Sequence, residues 1–183
     1  VVATFATIIQ MAAVSAATSV PTLRALAGPL ACAGLAATIY GAAGMRRSGL
    51  QTTAEDPAVG QAFSLKTALV FAATLSVVLT ASAGLRASFG EAGTIAAAAL
   101  AGLVDAHATA ASVAAQVAAG RMPPEAATVP ILMGLTTNTL TKVILAASSG
   151  GRAFAVRVIP GLILVVGSAW GAAFTMGCLG WAG

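Results

Sequence analysis

The chain has 183 residues, of which 58% are hydrophobic and only 8% are charged, and its formal net charge is +4. Soluble globular domains carry about 25% charged residues, so this composition argues against that class and indicates a membrane protein. The nine Lys and Arg residues lie mostly at the ends of apolar runs, not on one face among aromatic residues, which argues against a nucleic-acid-binding protein.

Uncharged apolar runs recur along the chain, and most are close to the ~20 residues that cross ~30 Å of hydrocarbon as a helix. The alternating pattern of a membrane barrel is missing. We therefore predict an all-α fold: a polytopic transmembrane helix bundle with about six membrane segments in a single domain. Two helices lie within 1–45, a polar loop covers 46–63, and about four segments follow within 64–183.

The first three segments are separated by turn residues. Segment one covers about 1–19 and ends before Pro21, segment two covers about 25–45, and segment three runs from 64 to about 85. A short turn is expected at 86–90. Because Val1 already lies in an apolar run, we also expect an upstream part of the protein to be missing.

Segment four, about 91–119, is unusual because it would be ~43 Å long as a straight helix. It carries Gly102, Asp105 and His107 near its centre. A straight, untilted span of that length exceeds the hydrocarbon thickness, so we expect the segment to be tilted, broken or re-entrant.

Segments five and six complete the bundle. Segment five starts at Pro124 and ends near 148–152, and segment six covers about 154–181. A shift of 128 residues places Gln10 on Asn138 in a similar helix–turn–helix context. Segments one and two are thus candidate repeats of five and six. If segment four is re-entrant, the two copies would be inverted, an arrangement common in secondary transporters.

Two polar stripes cross the apolar background. The stripe on segment four follows helical spacing and contains Gly102, Asp105, Thr109, Ser112 and Gln116. The stripe on segment five contains Gly134, Asn138, Thr141 and Ser148, with Lys142 beside Asn138. Lipid offers no hydrogen-bonding partners, so both stripes are expected to face protein or a water-filled cavity.

Asp105 and Lys142 are the costliest residues in these stripes, at roughly 2.5 to 3.5 kcal/mol each at a helix centre. Antiparallel packing with level centres would place Lys142 beside Gly102, where its stem could bring the ammonium to Asp105. His107 would point about 200° away from Asp105 on an ideal helix, so it and Gln10 rank below the pair.

Two readings of these residues remain open. Asp105 and Lys142 are either a structural ion pair surrounded by interhelical hydrogen bonds, or part of a permeation or proton-coupled site. The ion or solute site of the second reading contains Asp105, Lys142, Asn138, Thr109, Ser112 and Thr141, with His107, Gln10, Gly102 and Gly134 as weaker members. We predict no catalytic residues, no resident metal and no cofactor, since no hydrolase, phosphate-loop or CxxC motif is present.

Several runs resemble one family. They are Phe63-Ser64-Leu65-Lys66-Thr67-Ala68-Leu69, Gly102-Leu103-Val104-Asp105-Ala106-His107-Ala108, Ser112, Asn138-Thr139 with Lys142, and Gly150-Gly151-Arg152. Together they resemble the C-terminal membrane domain of long MgtC/SapB-family proteins. The resemblance implies a multi-pass protein of the bacterial inner membrane whose N-terminal half lies upstream, and it implies no reaction.

The sequence therefore suggests two alternative functions. The first is a transporter-like or channel-like domain for an ion or small solute. The second is a non-transporting regulatory or structural subunit, suggested by the small residues Gly161, Ser168, Gly171 and Thr175. The expected partners are the lipid bilayer and other membrane helices, from the upstream half, a second copy or a larger complex.

Overall fold

A computed structural model describes residues 2–47, 65–149 and 151–177. These residues form six α-helices and no β-strand. The helices are α1 (Val2–Thr18), α2 (Val20–Arg47), α3 (Leu65–Val104), α4 (Ala106–Ala118), α5 (Thr128–Ser149) and α6 (Gly151–Thr175), with a 3₁₀ turn at Pro124–Ala127 before α5. The predicted all-α bundle is confirmed.

Four stretches of these helices are long and apolar enough to cross a membrane. They are Val20–Gly44, Ala87–Val104, Pro124–Ser148 and Phe154–Thr175. The chain is therefore an integral membrane protein. By contrast, α4 has 13 residues and reaches only about 20 Å, roughly two-thirds of the hydrocarbon thickness.

The junction between α1 and α2 is a single residue, Ser19. Its hydroxyl oxygen accepts the Thr22 N–H at 3.3 Å and the Thr22 hydroxyl at 2.9 Å, which caps the start of α2. Segment two was predicted to begin near residue 25, but α2 begins at Val20. Pro21 lies in the first turn of α2, where its missing N–H costs no helical hydrogen bond.

Helix α3 is bent at Gly90, which divides it into two helical stretches. Gly90 has φ 55° and ψ −124°, a conformation open to glycine because it has no Cβ. The turn predicted at 86–90 thus exists, although helix continues up to residue 89. The predicted polar loop at 46–63 lies outside the described residues, except for 46 and 47, which end α2.

The bundle has five main helix contacts: α2 against α6, α3 against α5, α1 against α2, α5 against α6, and α1 against α4. Its core contains a few large side chains, among them Met11, Leu26 and Ile131, and many alanines. Small core residues allow helices to approach closely where lipid supplies no hydrophobic driving force. Large apolar side chains such as Ile39 and Phe174 instead cover the outer surface.

The contact between α2 and α6 is organised by Tyr40. Its hydroxyl donates to the Arg157 carbonyl at 2.9 Å, and its ring lies over Gly161, where an added Cβ would come within 2.6 Å of ring carbons. Gly161 is therefore covered by this chain's own side chain and does not belong to an open small-residue face. Gly171, in contrast, is exposed with no neighbouring atom within 4 Å of an added Cβ.

One helix bound matches the repeat proposed from sequence. The 128-residue shift that relates Gln10 to Asn138 also carries the end of α2 at Arg47 onto the end of α6 at Thr175, but it carries the start of α2 at Val20 into α5. The evolutionary repeat itself stays a prediction.

Candidate functional site

The candidate site is built around a helix break at Asp105. Helix α3 ends at Val104, α4 begins at Ala106, and Asp105 between them is extended, with φ −153° and ψ 114°. The Asp105 carboxylate accepts the backbone N–H of His107 at 2.8 Å. Aspartate is among the best residues at this position because its oxygen satisfies an amide that has no partner within the helix.

The chain changes direction sharply at this break. The Thr109 hydroxyl donates to the Ala98 carbonyl at 3.4 Å, although the two residues are eleven positions apart. A straight helix would separate them by about 16 Å along its axis. The prediction that segment four is broken is therefore confirmed, and the five-residue polar stripe drawn on a continuous helix is wrong because it is divided at Asp105.

Asp105 and His107 form a hydrogen-bonded pair. Nδ1 of His107 lies 2.7 Å from Oδ1 of Asp105, the same oxygen that accepts the His107 amide. An ionised carboxylate only accepts, so Nδ1 carries the hydrogen in that state. The expectation that His107 points away from Asp105 is wrong, because it assumed a continuous helix across a residue that is extended.

The two ends of this pair differ in exposure. The Asp105 side chain is 44% exposed and the His107 side chain 28%. Nε2, the far nitrogen of the His107 ring, is buried and has no hydrogen-bond partner in the described part of the chain. The His107 ring thus contacts the partly exposed Asp105 carboxylate through Nδ1, while its other nitrogen, Nε2, is buried.

Helix α5 compensates for the backbone that the break disrupts. In a continuous helix the Leu103 carbonyl would accept the His107 amide, which is instead bound by Asp105. The Thr141 hydroxyl lies 3.2 Å from the Leu103 carbonyl and 3.1 Å from the Thr137 carbonyl of its own helix, so its one hydrogen is shared between the two acceptors. Thr141, predicted as a site residue, therefore contacts the break directly.

Two glycines set the distance between the helices at this level. A Cβ on Gly102 would lie 2.5 Å from the Gly134 Cα, and a Cβ on Gly134 would lie 2.6 Å from the Thr109 methyl group. Neither side chain could be added without moving a helix. The three helices α3, α4 and α5 consequently meet at Gly134.

Lys142 approaches the break from α5 but does not pair with Asp105. Its Nζ donates to the hydroxyl of Thr7 in α1 at 3.2 Å. Asp105 acts on it electrostatically from beyond ion-pair distance. The predicted contact over Gly102 is wrong, because Gly102 packs against Gly134 and not beside Lys142.

The other predicted residues lie around this centre with different exposures. Asn138 is half-buried one turn before Lys142 on α5, Ser112 is half-buried on α4, and Ser148 is exposed. Gln116 donates from its amide to the Ser112 carbonyl at 3.4 Å. Gln10 is exposed on α1 and makes no contact with the break that the structure shows.

Thr7 is the residue of this centre that the sequence did not single out. It is 5% exposed and lies one turn from Thr4, which is also buried. That pair of threonines at helical spacing in a largely apolar helix was the available signal. Asp105 and His107 supply two ligand types that metals use, but no group of three His, Cys, Asp or Glu that could hold a metal ion exists within 2–47, 65–149 and 151–177.

Comparison with known proteins identifies the family. The profile of a domain of unknown function, DUF4010, matches residues 1–150. The chain belongs to the DUF4010 family. The DUF4010 match covers α1 to α5, including Asp105, His107 and Lys142, and ends before α6. No curated protein and no solved structure matches the chain.

Proposed function

We propose that the chain is a transporter-like or channel-like membrane domain for an ion or small solute, with its site at the Asp105 break. The observation that carries this proposal is the break itself. A carboxylate, an imidazole and an ammonium group lie around interrupted backbone inside an apolar helix bundle. Discontinuous helices with such groups are the usual construction of substrate sites in secondary transporters.

The placement of the charges favours a functional site over a structural ion pair. A structural pair would recover part of the desolvation cost by direct contact. Asp105 and Lys142 make no such contact, and the Asp105 side chain is 44% exposed. The carboxylate is thus reachable, while Lys142 is held by Thr7 at a position from which it still acts on Asp105.

Ion currents across reconstituted membranes test this proposal. Proteoliposomes are adsorbed on a solid support and exposed to steps of K⁺, Na⁺, Mg²⁺, chloride or phosphate. We expect a protein-dependent current for at least one of these ions, lowered at least tenfold by Asp105→Asn and by Lys142→Met. The matched controls Glu125→Gln and Arg152→Met alter exposed charges away from the break and should leave the current unchanged.

The test has clear negative outcomes. No current above empty liposomes for all five ions would contradict transport of inorganic ions. Currents equal in Asp105→Asn, Lys142→Met and the wild type, with all three proteins folded, would contradict the site. Folding is checked by far-ultraviolet circular dichroism and by a single peak in gel filtration.

The second candidate, a non-transporting subunit, has one observation in its favour. Gly167 and Gly171 form an exposed surface of α6 that no atom of the described chain covers. A foreign helix could approach such a surface closely. If Gly171→Leu reduces the size of the complex extracted from native membranes and the chain carries no current, this function replaces the first.

The proposal also includes the membrane in which the chain is located and its relation to long MgtC/SapB-family proteins. A bacterial inner-membrane location and kinship with long MgtC/SapB-family proteins rest on the resemblance described from sequence. Neither an enzymatic reaction nor nucleic-acid binding is proposed. Fractionation of the native membranes tests the location, and recovery of the chain in the outer-membrane fraction would contradict it.

A further inference from the structure

We propose that the proton is an ion handled at this break, and that the imidazole of His107 carries it. The inference rests on the proposed function and names the ion of the same site. Its starting point is the geometry of the Asp105–His107 pair, in which the two ring nitrogens have different surroundings. An imidazole is the side chain whose charge ordinarily changes between about pH 5 and 8.

The hydrogen bond to Asp105 fixes which nitrogen can take up a proton. Nδ1 lies 2.7 Å from the carboxylate oxygen and carries the hydrogen, so the free lone pair of the ring is on Nε2. Nε2 is buried without a partner in the described residues. Nε2 is therefore the ring nitrogen whose lone pair is available to a proton when Nδ1 donates to Asp105.

The path of the proton follows from this arrangement. A proton that binds to the lone pair of Nε2 makes the ring a cation. Its Nδ1–H can then pass to Oδ1 of Asp105, which gives a carboxylic acid and a neutral ring with its hydrogen on Nε2. Return of the proton from Oδ1 to Nδ1, followed by loss of the proton from Nε2, restores the starting pair.

Protonation also affects the break itself. Oδ1 of Asp105 accepts the His107 amide as well as the ring, so the same carboxylate caps α4 and binds the proton. A neutral carboxylic acid caps a helix less strongly because it loses the charge that the helix N-terminus favours. Proton occupancy is thereby coupled to the stability of the junction between α3 and α4.

Few other charges lie on the elements packed against α4. Helix α1 contains no titratable side chain, the second stretch of α3 contains only Glu91 at its far end, and α5 contains only Lys142. Smaller contacts are made by the Pro124–Ala127 turn, which contains Glu125, and by α2, whose titratable residues are Arg24, Cys32, Tyr40, Arg46 and Arg47. Lys142 interacts electrostatically with Asp105, whereas the proton itself is exchanged between His107 and Asp105.

Ring nitrogen NMR tests proton binding directly, because the chain has one histidine. The full chain, with a purification tag that lacks histidine, is labelled with ¹⁵N-histidine and reconstituted in lipid. We expect the Nδ1–H neutral ring at high pH and the doubly protonated ring at low pH. In Asp105→Ala, which has no acceptor for Nδ1–H, the preference for Nδ1–H should be lost, whereas the exposed control Glu125→Gln should keep it.

Proton flux is measured in the same preparations with the dye pyranine inside the liposomes. We expect acidification under an inward proton gradient, lowered at least tenfold by His107→Gln. If His107→Gln does not fold, His107→Asn is used in its place. The NMR measurement on the wild-type protein does not depend on any variant. A ring that stays neutral, or carries its hydrogen on Nε2 throughout the pH range in which the protein is folded, would falsify proton binding.

The outcomes separate this inference from the proposed function. An ion current in the wild type that is unchanged in size and pH dependence by His107→Gln overturns the role of the proton and leaves transport standing. Proton binding at Nε2 with neither proton flux nor any ion current overturns transport, and the proton's role as a handled ion fails with it.

Discussion

The hydroxyl of Thr141 lies 3.2 Å from the backbone carbonyl of Leu103 and 3.1 Å from that of Thr137 in its own helix, so a side chain of α5 partly replaces the amide that the helix break withdraws. This bond joins two helices at the point where one of them is interrupted. A carbonyl left without a donor inside an apolar bundle destabilises the fold. The relationship therefore predicts that the break depends on α5.

Thr141→Val should lower the free energy of unfolding by about 1 kcal/mol, because an interhelical hydrogen bond is lost and the Leu103 carbonyl is left without this donor. Unfolding in mixed micelles with increasing dodecyl sulfate, followed by circular dichroism, measures the change. Thr38→Val is the matched control, since the Thr38 hydroxyl is exposed and bonds only to the Gly34 carbonyl of its own helix. Equal losses in the two variants would contradict a special role for Thr141.

Asp105→Ala and Asp105→Asn should differ in stability, because alanine cannot cap a helix whereas asparagine caps nearly as well as aspartate. We expect Asp105→Ala to lose about 1 kcal/mol and Asp105→Asn to lose much less. The same unfolding titration compares them. If asparagine is as destabilising as alanine, the negative charge itself holds the junction and the capping explanation fails.

Gly102→Ala should destabilise the bundle by about 1–3 kcal/mol, because the new Cβ would meet backbone of α5 that cannot yield without moving the helix. Gly84→Ala is its control, since no atom lies within 4 Å of a Cβ there. Removing a helix-interior glycine at an open site should stabilise by about 0.5–1 kcal/mol. Opposite signs for the two changes are expected, and a neutral Gly102→Ala would contradict the close crossing with Gly134.

Gly161→Ala and Tyr40→Ala should show strong coupling, because the alanine methyl would occupy the space of the Tyr40 ring. Gly161→Ala alone displaces the ring and strains its hydroxyl bond to the Arg157 carbonyl. Once the ring is removed, the same methyl costs little. A double-mutant cycle should give an interaction energy of about 1 kcal/mol or more, and additive effects would refute the contact.

The sequence was sufficient for most of the helices and for the expectation of an interruption, but not for its position. Apolar run length predicted the segments, and the excessive length of 91–119 indicated a tilted, broken or re-entrant segment, whereas the polar stripe was drawn through Asp105 as continuous helix. The start of α5 after Pro124 and its end near residue 149 also agree with the prediction. These features depend on local chemistry, which a single sequence contains.

The contacts within the site were less predictable because they depend on helix crossing. The separation of Asp105 and His107 was calculated for an uninterrupted helix, and an extended residue at 105 invalidates that calculation. The predicted position of Lys142 relative to Asp105 assumed that segments four and five pack with their centres at the same depth. The actual level is fixed by Gly102 against Gly134, and glycine spacing alone does not indicate which glycine meets which.

Two helix junctions are capped in the same way, by a side-chain oxygen that accepts a backbone amide of the following helix. They differ in the charge of that oxygen. At Ser19 a neutral, buried hydroxyl receives the amide of the following turn, and α2 starts there without any charge. At Asp105 a carboxylate does the same for α4. Since an uncharged oxygen suffices for the first joint, the architecture of the second does not require a formal charge that costs roughly 2.5 to 3.5 kcal/mol to keep at bilayer depth. The negative charge at Asp105 therefore strengthens the cap without being required for it, and its retention points to a further task of the charge.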